Sequence, residues 1–269
     1  MAVERVPLAM WVVSLGLLMV AAGCAANAGQ TVVAGAGGDD LSTRAARAVA
    51  LLDAPQNLDA AAGRQAWDAL WSVADEAAAD DPDRFEFIVQ AARAGLWLAT
   101  YVEPKDEALV GRVLALTNTA VSLKPERVEG HHYRAVVLGL VARQDPLKGP
   151  DAMKSMVADG RKAAQIDGGF EQGGPHRLLG GLYLKAPGPP AGVGSPRRAL
   201  HHLKKAVELA PLHPGNLVLL AQAHQAVDAP AEAAALLERF EALDASAHSP
   251  VVMAYWRGQA QETRKALTE

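Results

Sequence analysis

Between Pro196 and Ala210 the apolar positions Ala199, Leu200, Leu203, Ala206, Val207 and Ala210 recur every three or four residues, with Arg197, Arg198, Lys204 and Lys205 outside the stripe. That spacing sets one flank of a helix against a core and turns the other to water. Ser195-Pro196 is the start signal, a capping hydroxyl followed by proline in the first turn; Ser249-Pro250 repeats it, and Asp81-Pro82 resembles it. Caps and breakers read in order predict helices over 41–54, 58–80, 83–101, 105–123, 126–143, 150–166, 174–185, 196–210, 213–227, 230–243 and 250–267. No stretch alternates convincingly at period two. The expected fold is all-α.

Helices joined by short turns form either a bundle or a solenoid, so internal repeats decide. The chain carries a degraded tetratricopeptide signature. Its first-helix pattern is Leu179-Gly180-x-x-Tyr183, with weaker copies at Leu138-Gly139-x-x-Ala142 and Leu220-Ala221-x-x-His224. Its second-helix pattern is Ala199, Leu203, Ala206 and Pro211; Ala120 with Pro125, and Ala233 with Leu237, echo parts of it. Small residues at fixed places let neighbouring helices approach, large ones fill the gaps, and proline stops the second helix. One such pair cannot bury its own stripe, so the expectation is antiparallel pairs stacked as a superhelix over 41–269.

The N-terminus has a different character. Val6–Val20 is almost uninterrupted apolar sequence after Arg5, and Ala21-Ala22-Gly23 leads to Cys24, the only cysteine of 269 residues. A lone thiol forms no internal disulfide. A charged start, a short apolar segment and small residues make a secretory signal, and the cysteine directly after them resembles a bacterial lipobox. On that resemblance 1–23 is a cleaved signal peptide, and Cys24 carries acyl chains that hold the protein to a bilayer. An uncleaved membrane helix and an ordinary signal with an incidental cysteine are the alternatives. Residues 24–40, ending "AANAGQTVVAGAGGDD", lack helical periodicity and read as a flexible tether.

Composition narrows the function. The formal charge of −4 comes with no block of basic residues, which argues against nucleic acid. No GxSxG, Walker lysine, Cys–His pair, HxxxH or HExxH occurs. Glu126 and Glu129 lie one turn apart, as many solvated pairs do. No catalytic residue, metal or cofactor is assigned, and an enzyme is not expected.

Two segments depart from a plain repeat. "APGPPAGVGS", Ala186–Ser195, stands where a tight turn belongs, and its prolines restrict it to few shapes. It is either a binding surface or a tolerated extension. "EGHHYRAVVLG", Glu129–Gly139, holds adjacent histidines that point to different sides of a helix. Either His131 or His132 lines a groove or sits in the core, and Tyr133 falls on the apolar stripe with Val137, Leu140 and Val141.

From Pro125 to about Gln225 an ordered series stands out: Gly130-His131-His132-Tyr133, Leu138-Gly139, Gly174-Pro175-His176-Arg177-x-Leu179-Gly180, Leu182-Tyr183, Ala186-Pro187-Gly188, Gly194-Ser195, Ala199-x-x-x-Leu203 and Leu209-Ala210-Pro211. It resembles the T component of tripartite ATP-independent periplasmic (TRAP) transporters, helical lipoproteins with cryptic tetratricopeptide repeats. Pro190 with Ala191 alters the loop relative to that family. The resemblance implies a non-enzymatic, periplasm-facing lipoprotein that docks a periplasmic solute-binding protein or a hydrophobic ligand and assembles into pore-containing oligomers; Ala25 after the lipid site, where aspartate is absent, is compatible with outer-membrane sorting. The candidate binding residues are His131, His132, Tyr133, His176, Arg177, Tyr183, Pro187, Gly188 and Ser195. Arg177 offers a carboxylate fork, or else caps a repeat as an exposed arginine. The other reading is a tetratricopeptide-like scaffold lipoprotein in envelope assembly or secretion, binding other envelope proteins. Replacing Cys24 by serine is expected to release the protein from membranes; retention in the pellet after a carbonate wash would place the anchor elsewhere.

Overall fold

The computed structural model describes residues 39–145 and 149–268. The expected signal peptide, Cys24 and most of the expected tether lie outside them. Eleven α-helices follow in order: α1 (Leu41–Leu52), α2 (Ala60–Glu76), α3 (Arg84–Tyr101), α4 (Glu107–Leu123), α5 (Val128–Gln144), α6 (Gly149–Asp167), α7 (Phe170–Lys185), α8 (Pro196–Leu209), α9 (Pro214–Gln225), α10 (Pro230–Glu241) and α11 (Pro250–Ala266). Single 3-10 turns cover Pro55–Asn57 and Ala245–Ala247, and the described residues include no strand. None of the described helices is long and apolar enough to cross a membrane.

The helices start where side chains can satisfy free amides. Asp59, Asp106 and Ser195 accept from the backbone N–H three residues on, at 2.8, 2.9 and 3.4 Å. Asp40 does the same for α1, at 2.6 Å from Thr43 N, and Asp39 pairs with Arg47. The last two residues of the expected tether therefore belong to the folded body. Proline opens α8, α9, α10 and α11, where its missing N–H costs nothing.

Two kinds of helix alternate. In α8 only Ala199, Leu203 and Ala206 are buried, a single stripe on an otherwise polar rod. In α3, 14 of 18 residues are buried, and in α9, 10 of 12. A helix apolar on all sides must be enclosed on all sides. Accordingly α3, α5, α7, α9 and α11 form an inner row, each touching the next, while α4, α6, α8 and α10 lie outside between them.

The row closes. α11 returns to α3 and to the 3-10 turn after α1. Tyr101 and Tyr255 meet edge to face at 5.3 Å between centroids, and Ser249 Oγ donates to Leu58 O at 2.6 Å across 191 residues of chain. The expected curved array is thus a ring of five inner helices, with an outer layer around most of its circumference.

Close approach depends on the small residues of the repeat pattern. A Cβ on Gly180 would overlap the Leu203 side chain, so α7 and α8 sit at the distance that only glycine permits. Leu203 is fully buried in that contact. Gly180→Ala is expected to cost about 1–3 kcal/mol. Adding Leu203→Ala should cost less than the two single changes summed, because the smaller side chain vacates the overlap. A double-mutant cycle from denaturant midpoints measures this coupling.

Candidate functional site

The inner ring encloses polar groups that its own apolar surroundings do not explain. At the start of α7 the backbone turns left-handed over three residues: Glu171 (φ 49°), Gln172 (φ 56°) and Gly173 (φ 79°). Glycine takes that conformation freely; for Glu and Gln it costs roughly 1–2 kcal/mol each. Such a turn persists only where surrounding contacts over-determine it.

Those contacts are present. Arg177, on the next turn of α7, is 1% exposed. Its Nη2 donates to Glu171 O at 3.1 Å, and its Nη1 donates to Gln172 O at 3.1 Å and to Asn216 Oδ1 at 3.0 Å. Asn216 on α9 completes the clamp: its Nδ2 donates to Gln172 O, Ala206 O and Ala210 O at 3.1, 2.9 and 3.1 Å. The arginine fork therefore grips backbone carbonyls inside the protein. The exposed capping arginine, one of the two expectations for Arg177, is corrected by this burial.

The clamp turns the Glu171 carboxyl inward. Tyr133 OH donates to its Oε1 at 3.0 Å, while Oε2 is buried without a hydrogen-bond partner among the described residues. Burial raises the Glu171 pKa, and the nearby guanidinium groups of Arg93 and Arg177 only partly oppose it. For Arg177, burial pushes the value down to about 10 against the favourable fields of Tyr101 and Glu171. Arg93 on α3 also pairs with Asp53 at 2.8 Å. Burial alone would lower the Arg93 pKa, but Glu171, Tyr133 and Asp53 more than offset it. Arg93 of α3, Tyr133 of α5, and Glu171 and Arg177 of α7 thus share one buried electrostatic centre.

His132 sits beside it, fully buried, its ring edge-on to Phe170 at 5.4 Å and tilted against Tyr133 at 5.7 Å. Neither ring nitrogen has a hydrogen-bond partner among the described residues. Desolvation, helped by Arg177, pushes its pKa down to about 3. His131 points the other way, as neighbours on a helix must. Its Nδ1 faces Asp159 Oδ1 at 2.9 Å and its Nε2 faces Pro125 O at 2.9 Å. Asp159 also takes a two-pronged bond from Arg134, both arms 2.7 Å, so His131 stands in a buried brace between α5 and α6.

The remaining candidates gather elsewhere. Tyr183 is buried at the far end of α7, and His176 meets His202 of α8. Ser195 caps α8, and its N–H donates to Tyr183 O at 2.8 Å. The loop between them folds back on itself, Gly194 N to Pro187 O at 2.8 Å, so it has the defined shape its prolines suggest; Gly188 is exposed at its tip. The structure thus sorts the candidates into an interior group (His132, Tyr133, Arg177), a brace (His131) and a peripheral group (His176, Tyr183, Pro187, Gly188, Ser195).

No protein-family model matches this chain, and no curated protein does. Among solved structures, TTC0263, a thermophilic TPR protein of Thermus thermophilus, superposes with a TM-score of 0.61 at 17% identity, covering 84% of this chain and 100% of that one. MamA gives a TM-score of 0.44 at 13% identity, covering 67% of this chain and 88% of that one. The fold is tetratricopeptide-like. The first likeness, together with the helix pairs above, bears out the all-α superhelix expected from the repeats.

Sequence reasoning missed Glu171, Arg93 and Asn216. A signal existed for two of them: Arg93 interrupts "AARAGLWLA" and Asn216 interrupts "PGNLVLLA", polar residues within runs too apolar to face water. Among the described residues no group of three or more His, Cys, Asp or Glu side chains is placed to hold a metal ion.

The burial of His132 has a signed consequence. Its folded pKa lies below the unfolded value of 6.5, so its contribution to stability is complete above that pH and declines as pH falls toward about 3. Wild-type denaturant midpoints are expected to drop from about pH 7.5 to about pH 5. His132→Phe, which has no proton to gain, should show a smaller drop over the same interval.

Proposed function

We propose that this chain is a lipid-tethered, periplasm-facing interaction module, an accessory component of a TRAP-type transport system that docks a solute-binding protein or a hydrophobic ligand. The coarser part of that reading, a scaffold for protein–protein interaction, follows from the tetratricopeptide-like fold. One observation supports the finer part. The residues that carry the resemblance converge in space. His132, Tyr133, Gly174 and Arg177 meet around the left-handed turn, and Gly180 sets the α7–α8 contact beside them.

An apolar surface lies next to that turn. A groove of about 580 Å³ beside Gln172 is walled by Pro211, Leu212, Leu217, Leu243 and His248, with Leu212 70% exposed. A partner seated there would touch the clamped turn directly. On this reading acylated Cys24 supplies the anchor, residues 24–38 the reach and 39–269 the docking body. Assembly of several copies belongs to the same proposal.

The scaffold reading in envelope assembly or secretion draws on ring closure, which commits the inner helices to one another and leaves the outer ones available to partners. Capture from native envelope separates the two. With the tethered protein as bait, a solute-binding protein is the expected prey, and Leu212→Asp is expected to reduce its recovery at least about fivefold, since charge in an apolar contact is costly. Secretion or outer-membrane assembly proteins as the specific prey would replace the transport reading with the scaffold one.

A further inference from the structure

Where α6 and α8 flank α7, a second polar cluster surrounds Tyr183. Arg161 Nη2 of α6 donates to the Tyr183 hydroxyl at 3.2 Å. His202 of α8 stacks on the Tyr183 ring at 5.6 Å between centroids and 28° between planes. The Arg198 guanidinium lies 5.7 Å from the same ring. His202 Nδ1 is 3.1 Å from His176 Nδ1, one imidazole donating and the other accepting, and His201 packs edge-on to His202 at 5.3 Å.

The charges around this cluster are unbalanced. Glu208, a carboxylate beside His176, is already paired with Lys205 at 3.1 Å. Arg161 and Arg198 are exposed and bond to no carboxylate among the described residues. Paired Nδ1 atoms at this spacing would suit a transition metal, but the guanidinium groups on both sides repel a cation. The same groups attract an anion, and a guanidinium matches the two oxygens of a carboxylate.

We propose that this cluster docks an acidic segment of a partner protein, with Arg161 and Arg198 gripping its carboxylates and the imidazoles of His176 and His202 forming the floor. A protein segment fits better than an anionic bilayer, because the site is two isolated guanidinium forks and the chain has no block of basic residues to hold an extended anionic surface. The inference concerns a different face from the groove beside Gln172 and stands whether or not the transport reading does.

The imidazoles give the contact a pH signature. His202 is pushed down to about 4, first by burial and then by His176, His201, Arg161 and Arg198. His176 is lowered by burial, Lys205 and His201, with Glu208 opposing. The groups facing the pair are therefore Arg161 of α6, Tyr183 of α7, and Arg198, His201, Lys205 and Glu208 of α8. A docked carboxylate favours the protonated rings, so binding takes up protons and strengthens as pH falls.

A fluorescently labelled glutamate decapeptide, followed by anisotropy in about 50 mM salt, is the probe. Removing both forks, Arg161→Gln with Arg198→Gln, is expected to weaken binding about tenfold, while Arg257→Gln on exposed α11 changes it less than about twofold. Wild-type affinity should rise between about pH 7.5 and about pH 5.5, and His202→Gln should flatten that rise. Both arginine side chains are exposed, so the double variant should keep its melting temperature. Three results would overturn the proposal: no binding at either pH, equal loss in the Arg257 variant, or binding to phosphatidylglycerol vesicles with none to the peptide.

Discussion

Closure of the inner helices onto one another is the constraint from which the other features follow. Once α11 reaches α3, every inner helix has neighbours on both sides, and all but α11, which keeps one face exposed, are backed by other helices. Polar residues on the enclosed faces of those helices are then buried, and each needs a partner inside. Runs such as "IVQAARAGLWLATY" on α3 meet that demand almost wholly with apolar groups, which makes the few exceptions informative. Arg93, Tyr133, Glu171, Arg177 and Asn216 are held against the hydrophobic preference of their surroundings, and they find one another.

The strained turn at Glu171–Gly173 has its place in this scheme. A regular helical start would have left Glu171 elsewhere on the α7 surface. The left-handed path instead brings its carboxyl to Tyr133 and presents two carbonyls to Arg177. The conformational cost is offset by hydrogen bonds to a charged donor, worth about 1.5–3 kcal/mol apiece. Strain and clamp thus account for each other, and of the residues that form them the sequence resemblance had singled out Arg177 alone.

Local order was legible in the sequence, and closure was not. Predicted helices match the observed ones within a few residues because capping and periodicity are short-range effects. The widest miss, α2, begins at Ala60 because Asp59 supplies the cap, and it stops at Glu76. Nothing in a three-to-four-residue spacing reports how far each pair rotates against the next, so a contact between Leu58 and Ser249 could not be foreseen. The binding candidates were legible as a set but not in their roles. Adjacent histidines were expected to diverge, and they do; that one would brace Asp159 and the other lie unpartnered depended on helices distant in sequence. Likewise "RRALHHLKK" reads as a solvated face until Tyr183 and Arg161 are seen packed against it.

An open solenoid can gain or lose a unit at either end, since each unit touches only those beside it. A circular arrangement has no free end to extend. Inserting one helix pair between α3 and α11 would widen the circumference and pull Ser249 away from Leu58; deleting one would leave too little arc to meet. Variation within this architecture is therefore confined to loops and outer surfaces, and the tally of inner helices is set by geometry.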